Sequence, residues 1–322
     1  MMKRLTSGLV DGATSLLLNS AHWAVRNGAC TRAELERYLT QCEKTTREEY
    51  FAVTPITGKE LRKSLLRWQS PISSGYEEND VACARLFLCK EGWKAPTLIF
   101  LHALMSAHDF GYCRMAHRLN AAGWNAALMH LPFHYSRVPR GSVNGVLALT
   151  SNLARNGETI RQAVKEARQL LGLFRELGCE EFGLIATSFG GWIGALLSSL
   201  EKDFSFIALL QPVADVEHAI WESPATRVIR WQLNRVGIPP GITRRHAHLT
   251  SPKDSQPLID PRRIFLFGGA YDQIVPTATL RKLQEKWQGS HLIEVEQGHF
   301  GYCAMGAALR EFNAFLARKN QA

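Results

Sequence analysis

Three residues, Ser188, Asp272 and His299, have the side-chain types that together turn a hydroxyl group into a nucleophile. A serine hydroxyl reacts poorly until a base takes its proton, and a histidine base works best when a carboxylate fixes its tautomer and stabilises its cation. Each of the three follows an apolar segment that is typical of a buried strand. Because parallel strands end at the same edge of a sheet, we expect the three side chains to meet there.

The serine lies at a junction between a strand and a helix. Phe182–Thr187 is predicted as a strand, and a helix is predicted to begin at Phe189. A sharp turn of this kind brings the chain so close to itself that only small residues fit two positions before and after the serine, and Ala186 and Gly190 stand there. The small-x-Ser-x-Gly pattern alone is weak, since roughly one chain in five of this length contains it by chance.

Two aspartates could supply the acid. Asp272 follows the predicted strand Arg263–Phe267 and a glycine turn, whereas Asp215 follows the predicted strand Phe206–Gln211. Asp272 is the preferred candidate and Asp215 remains the alternative. The histidine candidate, His299, lies between the last predicted strand and the last predicted helix.

The order of elements predicts an α/β fold with a mostly parallel sheet and helices on both faces, because nearly continuous apolar strands alternate with amphipathic helices. Strands are predicted at Val81–Cys89, Thr97–His102, Asn125–Leu131, Phe182–Thr187, Phe206–Gln211, Arg263–Phe267 and His291–Val295. Residues 1–80 are predicted to form an N-terminal helical extension and residues 81–322 the main domain. Within that domain, residues 213–260 are expected to form a helical lid over the strand ends.

The composition is that of a globular protein with a sizeable core, with 322 residues of which 46% are hydrophobic and 21% charged. Seven cysteines without a C-x-x-C pair predict reduced thiols and a cytoplasmic location. A cleaved signal peptide is not favoured, because Asp11 interrupts the apolar start of the chain. No nucleic-acid-binding motif is present, so nucleic acid is not an expected partner.

The chain at this point resembles the alpha/beta hydrolase superfamily. Four features occur in that family's order over residues 81–320: a Leu-His-x loop at 101–103, the serine turn, a D-x-x-V-P segment beginning at Asp272 and a Gly-His pair before the last helix. The stretch 131–139 and the helical extension also resemble a branch that includes alpha/beta hydrolase domain-containing protein 18.

The resemblance implies a role for each site residue. Ser188 would be the nucleophile, Asp272 the acid and His299 the base. The backbone N–H groups of Phe189 and Leu104 would stabilise the oxyanion. The chain departs from the family's pattern directly after His102, because alanine stands at position 103, where the family usually has glycine. The backbone N–H of Ala103 is therefore kept as the alternative to that of Leu104. The resemblance implies no cofactor and no metal. His102 is expected to brace its loop, and His130 and His134 are not expected to form a metal site.

These observations favour a serine hydrolase that cleaves a carboxylic ester or related acyl bond of a small-molecule or lipid-like substrate. An acyltransferase using the same site, or a non-catalytic module that binds a lipid or a protein, remains open. The net charge of +9 suits an anionic partner, although basic residues scattered over a solvated surface would explain it as well. Peripheral membrane contact is a further hypothesis, resting on the proximity of Lys3 and Arg4 to Leu5, Leu9, Leu16, Leu17 and Trp23.

Overall fold

A computed structural model describes residues 2–25, 28, 30–319 and 321. Residues 1, 26, 27 and 29 of the predicted segment 1–80 and residues 320 and 322 of the predicted segment 81–322 lie outside the described residues. Nine strands of the described residues form one sheet: β1 (Glu60–Arg62), β2 (Leu65–Gln69), β3 (Val81–Phe87), β4 (Thr97–Leu101), β5 (Asn125–His130), β6 (Phe182–Thr187), β7 (Phe204–Leu210), β8 (Ile264–Gly269) and β9 (His291–Val295). Their order across the sheet is β1-β2-β3-β5-β4-β6-β7-β8-β9.

The sheet is parallel from β5 to β9 and antiparallel at the other edge. Strands β4, β6, β7 and β8 pair in parallel with their neighbours, whereas β1, β2, β3 and β5 form antiparallel pairs. All residues of β4, β5 and β8 are buried, which is the expected pattern where helices cover both faces of a parallel sheet. The parallel strands all end at one edge, where the candidate site lies.

Eleven helices are present among the described residues: α1 (Met2–Ala24), α2 (Arg32–Glu43), α3 (Arg47–Tyr50), α4 (Phe110–Ala121), α5 (Leu153–Glu176), α6 (Phe189–Ser198), α7 (Val216–Trp221), α8 (Arg227–Arg235), α9 (Ala247–Thr250), α10 (Thr277–Lys286) and α11 (Cys303–Lys319). Apolar side chains of α5, α6 and α10 pack on one face of the sheet, and those of α4 and α11 pack on the other. The predicted α/β fold class is confirmed.

The prediction of a helical extension over residues 1–80 is wrong for residues 60–69. Helices α1, α2 and α3 lie in this segment, but Glu60–Arg62 and Leu65–Gln69 form a hairpin that continues the sheet through β3. In β2 the buried Leu66 and Trp68 alternate with exposed residues. This alternation covers too few residues to predict a strand from the sequence. The division of the chain into two domains at residue 80 stays a prediction.

The insertion 213–260 is helical, as expected, and contains α7, α8 and α9. Side chains of α8 pack together with Leu35 and Leu39 of α2 and with Leu153, so the lid rests on the N-terminal helices. All seven cysteines are free thiols. No helix of the described residues combines the length and apolarity that a transmembrane helix needs. The cytoplasmic location stays a prediction.

Candidate active site

Ser188 occupies a strained turn between β6 and α6. Its backbone has φ 51° and ψ −109°, a region that costs a non-glycine residue about 1–3 kcal/mol. The turn is held by the Ser188 N–H, which donates to the Leu210 carbonyl at 2.8 Å. Gly190 lies so close to the chain after β4 that a Cβ atom there would be 2.6 Å from the His102 carbonyl oxygen. The requirement for a small residue at position 190 therefore follows from this close approach.

Three side chains from different loops form one hydrogen-bonded chain at the carboxyl edge of the sheet. Ser188 Oγ lies 2.8 Å from His299 Nε2, and His299 Nδ1 lies 2.8 Å from Asp272 Oδ2. The side chains of His299 and Asp272 are 6% and 0% exposed, so water competes little for these bonds. With the Nδ1 proton donated to Asp272, Nε2 is left to accept the proton of Ser188. This arrangement has the connectivity of a nucleophile, a base and an orienting acid.

The carboxylate of Asp272 is held by donors on both oxygens. Its Oδ1 atom accepts the backbone N–H groups of Ile274 and Val275, both at 2.8 Å, and its Oδ2 atom accepts Gln211 Nε2 at 2.7 Å as well as His299. An ionised carboxylate accepts hydrogen bonds only, so this set of donors suits the charged form. The acid is therefore fixed in position before any substrate arrives.

The alternative acid, Asp215, lies elsewhere and has other partners. Its Oδ1 atom accepts the backbone N–H of His218 at the start of α7, and its Oδ2 atom lies 2.9 Å from Lys253 Nζ. The structure thus brings Asp272, and not Asp215, to the imidazole of His299. Asp215 caps a lid helix and pairs with a lid lysine.

The charge on Asp272 also changes the basicity of His299. Burial lowers the pKa of His299, but the negative charge and hydrogen bond of Asp272, with a further contribution from the charge of Asp11, raise it. The net pKa lies above the ordinary value of 6.5. This environment stabilises the imidazolium that forms when the histidine takes a proton from the serine.

Asp11 of α1 was not among the residues expected at the site, yet it joins both loops that carry the acid and the base. Its carboxylate accepts the backbone N–H of His299 at 2.9 and 3.0 Å, that of Phe300 at 3.3 Å and that of Gln273 at 3.2 Å. The residue is 0% exposed. The sequence shows that Asp11 is an acidic residue inside an otherwise apolar and neutral stretch. It does not indicate the surface against which this residue packs.

Gln211 is a second residue that the sequence did not single out, because it stands at the end of an apolar strand. It has φ 48°, and its amide nitrogen donates to Asp272 and to the Gly298 carbonyl at 2.8 Å. Its oxygen accepts Gln297 Nε2 at 2.8 Å. Gln211 therefore connects the acid with the segment just before the histidine.

The candidate oxyanion donors Phe189, Leu104 and Ala103 all line the cavity that contains the serine. Ala103 does not have a positive φ, so its backbone conformation is one that alanine adopts without strain. The positive φ falls instead at Met105, at 54°, and its N–H donates to His134 Nε2 at 2.9 Å. The choice between Leu104 and Ala103 as second donor stays open.

The histidines near the loop after β4 have structural partners. His102 lies 2.9 Å from the Ala103 carbonyl through Nδ1 and accepts the Leu131 N–H at 3.1 Å through Nε2, an arrangement that braces the loop. His130 bonds Ser136, while His134 bonds the Pro132 carbonyl, so the two histidines point to different partners. Burial lowers the pKa of both to about 4. Within the described part of the chain, no cluster of metal-ligating side chains is present.

A cavity of about 110 Å³ opens beside Ser188 and His299. Its walls are mostly apolar and come from α1, the lid, the segment before α5 and the loops of the acid and the base. They include Leu18, Leu149, Val213, Ala219, Ile274 and Phe300. Helix α1 thus contributes a wall residue as well as the carboxylate of Asp11. Sequence reasoning assigned neither contribution to this helix.

Comparisons with known proteins give distant similarity in sequence and a clear similarity in fold. No protein-family model matches the chain. Two uncharacterized proteins of Mycobacterium tuberculosis, from two strains, are 28% identical over 182 residues, which is 56% of this chain. The chain spans 43% of the length of these relatives.

Solved structures match most of the chain. Acetyl xylan esterase 1 from Thermoanaerobacterium sp. JW/SL YS485 has a TM-score of 0.57 at 16% identity, covering 90% of this chain and 94% of its own. An acetyl xylan esterase from Paenibacillus sp. R4 has a TM-score of 0.61 at 13% identity, covering 88% and 95%. The alpha/beta hydrolase GrgF from Penicillium sp. sh18 has a TM-score of 0.53 at 13% identity, covering 80% and 99%. At these identities the similarity concerns the fold.

Proposed function

The chain has the alpha/beta hydrolase fold, and on that premise we propose that it is a serine hydrolase that cleaves a carboxylic ester or a related acyl bond. The observation that carries the proposal is the continuous hydrogen-bonded chain from Ser188 Oγ through His299 to Asp272. Its members follow β6, β8 and β9 in the order serine, aspartate, histidine, which is the order of this fold's hydrolases.

In the first half of the reaction, His299 Nε2 takes the Ser188 proton while Oγ attacks the carbonyl carbon of the substrate. The carbonyl π electrons move to its oxygen, and backbone N–H groups of Phe189 and of Leu104 or Ala103 stabilise the negative charge. One such donor is typically worth about 3 kcal/mol. Asp272 stabilises the imidazolium without taking its proton.

In the second half, the tetrahedral intermediate collapses and the bond to the leaving alcohol breaks. His299 gives its proton to the leaving oxygen, so that an acyl group remains on Ser188. Water then enters, His299 removes its proton and the resulting hydroxide attacks the acyl carbon. The second tetrahedral intermediate then collapses, the bond between the acyl carbon and Oγ breaks, and the proton on His299 returns to Oγ as the carboxylic acid leaves. No cofactor is needed for either half.

The cavity beside the serine supports an acyl or lipid-like substrate. Its lining is mainly aliphatic and aromatic, and few polar atoms face it. An apolar wall favours an uncharged hydrocarbon group over a charged one, because the described residues that line it include no lysine, arginine, aspartate or glutamate to pair with a buried charge.

The test is covalent labelling with a fluorophosphonate probe. The wild-type protein is expected to be labelled, and Ser188→Ala is expected to lose labelling and to lower kcat for p-nitrophenyl esters by roughly 10⁴- to 10⁶-fold. Ser223→Ala is the matched control, because Ser223 lines the same cavity but is not bonded to the histidine; this variant should keep its labelling. A labelled Ser188→Ala protein would remove the serine from the proposed role.

The same preparation separates hydrolysis from the other functions that were left open. Release of free acid in the presence of added alcohols supports the hydrolase, whereas transfer of the acyl group to the alcohol identifies an acyltransferase. A wild-type protein that neither reacts with the probe nor turns over esters would be a binding module.

A further inference from the structure

Helix α1 has its polar side inward and its apolar side outward. The buried residues of the helix are Asp11, Ser15 and His22, whereas seven large apolar side chains are exposed. The exposed set is Met2, Leu5, Leu9, Val10, Leu16, Leu17 and Trp23. Met2, Leu5, Leu9, Leu16 and Trp23 follow one another at intervals of three, four, seven and seven residues, and Val10 and Leu17 lie next to two of them. The whole set therefore shares one side of the helix. A contiguous exposed apolar surface of this kind marks an interaction site.

The apolar side of α1 continues onto the lid helix α8. The rings of Trp23 and Trp231 lie 5.1 Å apart, and Trp231 is itself 40% exposed. Two hydrogen bonds fix the junction: Asn19 donates to the Pro224 carbonyl and accepts the Val228 N–H, each at 2.9 Å. The outer sides of α1 and α8 therefore form one surface, called here the α1–α8 surface.

Positive charge borders the apolar residues of this surface on the α8 side. Arg227, Arg230 and Arg235 lie on α8, whereas Lys3 of α1 is paired with Glu296 at 2.6 Å. The two helices together contain one acidic residue, the buried aspartate at position 11. Leucines bordered by tryptophan and basic residues are typical of helices that lie in the interface of an anionic bilayer.

We propose that the α1–α8 surface docks on a lipid membrane with an anionic surface, with its leucines in the acyl region and its arginines at the headgroups. A second copy of this chain fits the surface less well. In a two-fold dimer the same patch meets itself, so the arginines of α8 would face basic residues without acidic partners.

Docking in this way would place the catalytic cavity beside the bilayer. Leu18 of α1 and Thr226, next to α8, both line that cavity. Docking would therefore bring a lipid-like substrate close to the serine. This last step rests on the proposed function, whereas binding to the membrane does not.

The experiment is co-sedimentation of the Ser188→Ala protein with vesicles, so that binding is measured without turnover. Vesicles of equal parts phosphatidylcholine and phosphatidylglycerol should bind the protein, and vesicles of phosphatidylcholine alone should bind it at least tenfold more weakly. Each basic residue at an anionic surface contributes about fivefold. Added salt should weaken binding, because the charges are exposed.

Two variants and a control locate the binding surface. Leu9→Ser with Leu16→Ser, and separately Arg227→Glu with Arg235→Glu, should each lower the partition coefficient by about tenfold or more. Leu258→Ser removes an equally exposed leucine outside the surface and should bind as before. Circular dichroism checks that each variant is folded.

Three results would overturn the proposal: no binding to the anionic vesicles, binding that the leucine pair does not affect, or a dimer in light scattering that the leucine pair dissociates. The last result would identify a second copy as the occupant. If the fluorophosphonate probe does not label the wild-type protein, that result would argue against the proposed hydrolase activity only. It would not contradict membrane binding.

Discussion

Replacing Asp11 by asparagine should slow the enzyme and change its pH dependence, although Asp11 does not contact the serine. The carboxylate accepts the N–H groups of His299, Phe300 and Gln273. Asparagine keeps one acceptor oxygen and turns an NH₂ group towards the other donors. A buried donor left unsatisfied costs about 1–3 kcal/mol, so we expect the free energy of unfolding to fall by about that amount.

The effect on the reaction follows from the loss of one tether on the loop that carries the base. A displacement of about 1 Å in a reacting group can lower the rate by about 10²-fold. We therefore expect Asp11→Asn to lower kcat by about 10- to 100-fold, which corresponds to about 1.4–2.7 kcal/mol in activation free energy. KM should change less, because Asp11 bonds only backbone N–H groups and does not itself line the cavity.

The pH profile separates this positioning role from general destabilisation. His299 must be neutral to accept the serine proton, so kcat/KM should fall as pH falls through the pKa of His299, which lies above 6.5 in the wild type. The charge of Asp11 helps to raise that pKa. Removing the charge lowers the pKa, and the acid limb of the profile should therefore move to lower pH in Asp11→Asn.

Ser15→Ala is the matched control. Ser15 lies one turn further along the same buried side of α1, and its hydroxyl has no hydrogen-bond partner among the residues that the structure describes. This variant should leave both kcat and the acid limb unchanged. A folded Asp11→Asn protein with wild-type kcat and an unshifted acid limb would show that α1 takes no part in positioning His299.

Two further predictions concern the acid and the core. Asp272→Asn should lower kcat by about 10⁴-fold, because the imidazole loses its orienting acceptor, while Asp215→Asn should leave kcat near the wild-type value. Steady-state kinetics on p-nitrophenyl esters measure both effects, and a larger loss in Asp215→Asn would identify Asp215 as the acid. Arg137 and Glu166 form a buried ion pair, with side-chain exposures of 1% and 0%. Glu166→Gln should lower the free energy of unfolding in urea by about 3–5 kcal/mol, because it leaves the guanidinium of Arg137 buried without its paired charge. A change below about 1 kcal/mol would contradict this account of the buried pair.

The parts of the fold and site that the sequence predicted are those with a strong local signal. The buried parallel strands are apolar runs in the sequence, and Ser188 and Asp272 each stand directly after such a run or its turn. His299 follows the half-exposed edge strand β9. Their meeting then follows from the geometry of parallel sheets. The hairpin 60–69 was missed because its strands are short and half exposed, so that neither an apolar run nor a long alternation marks them.

Contacts between distant segments gave no such signal. Asp11 and His299 are 288 residues apart, and Gln211 and Asp272 are 61 apart. Each contact depends on how a helix or loop docks in three dimensions, and hydrogen bonding of a side chain to a distant backbone N–H leaves no periodicity in the sequence. An isolated acid in an apolar helix indicates an unusual environment without naming its partner.

The orientation of α1 shows why periodicity alone could not place this helix. Its apolar stripe would by itself predict that the leucines face the core and that Asp11 faces water. Burying a carboxylate costs several kcal/mol unless donors satisfy it, and the loops after β8 and β9 provide such donors in the N–H groups of Gln273, His299 and Phe300. The polar side can therefore face inward, where it holds the base, and the apolar side is left outward. The same rotation of one helix accounts for both the positioning of His299 and the surface proposed for the membrane.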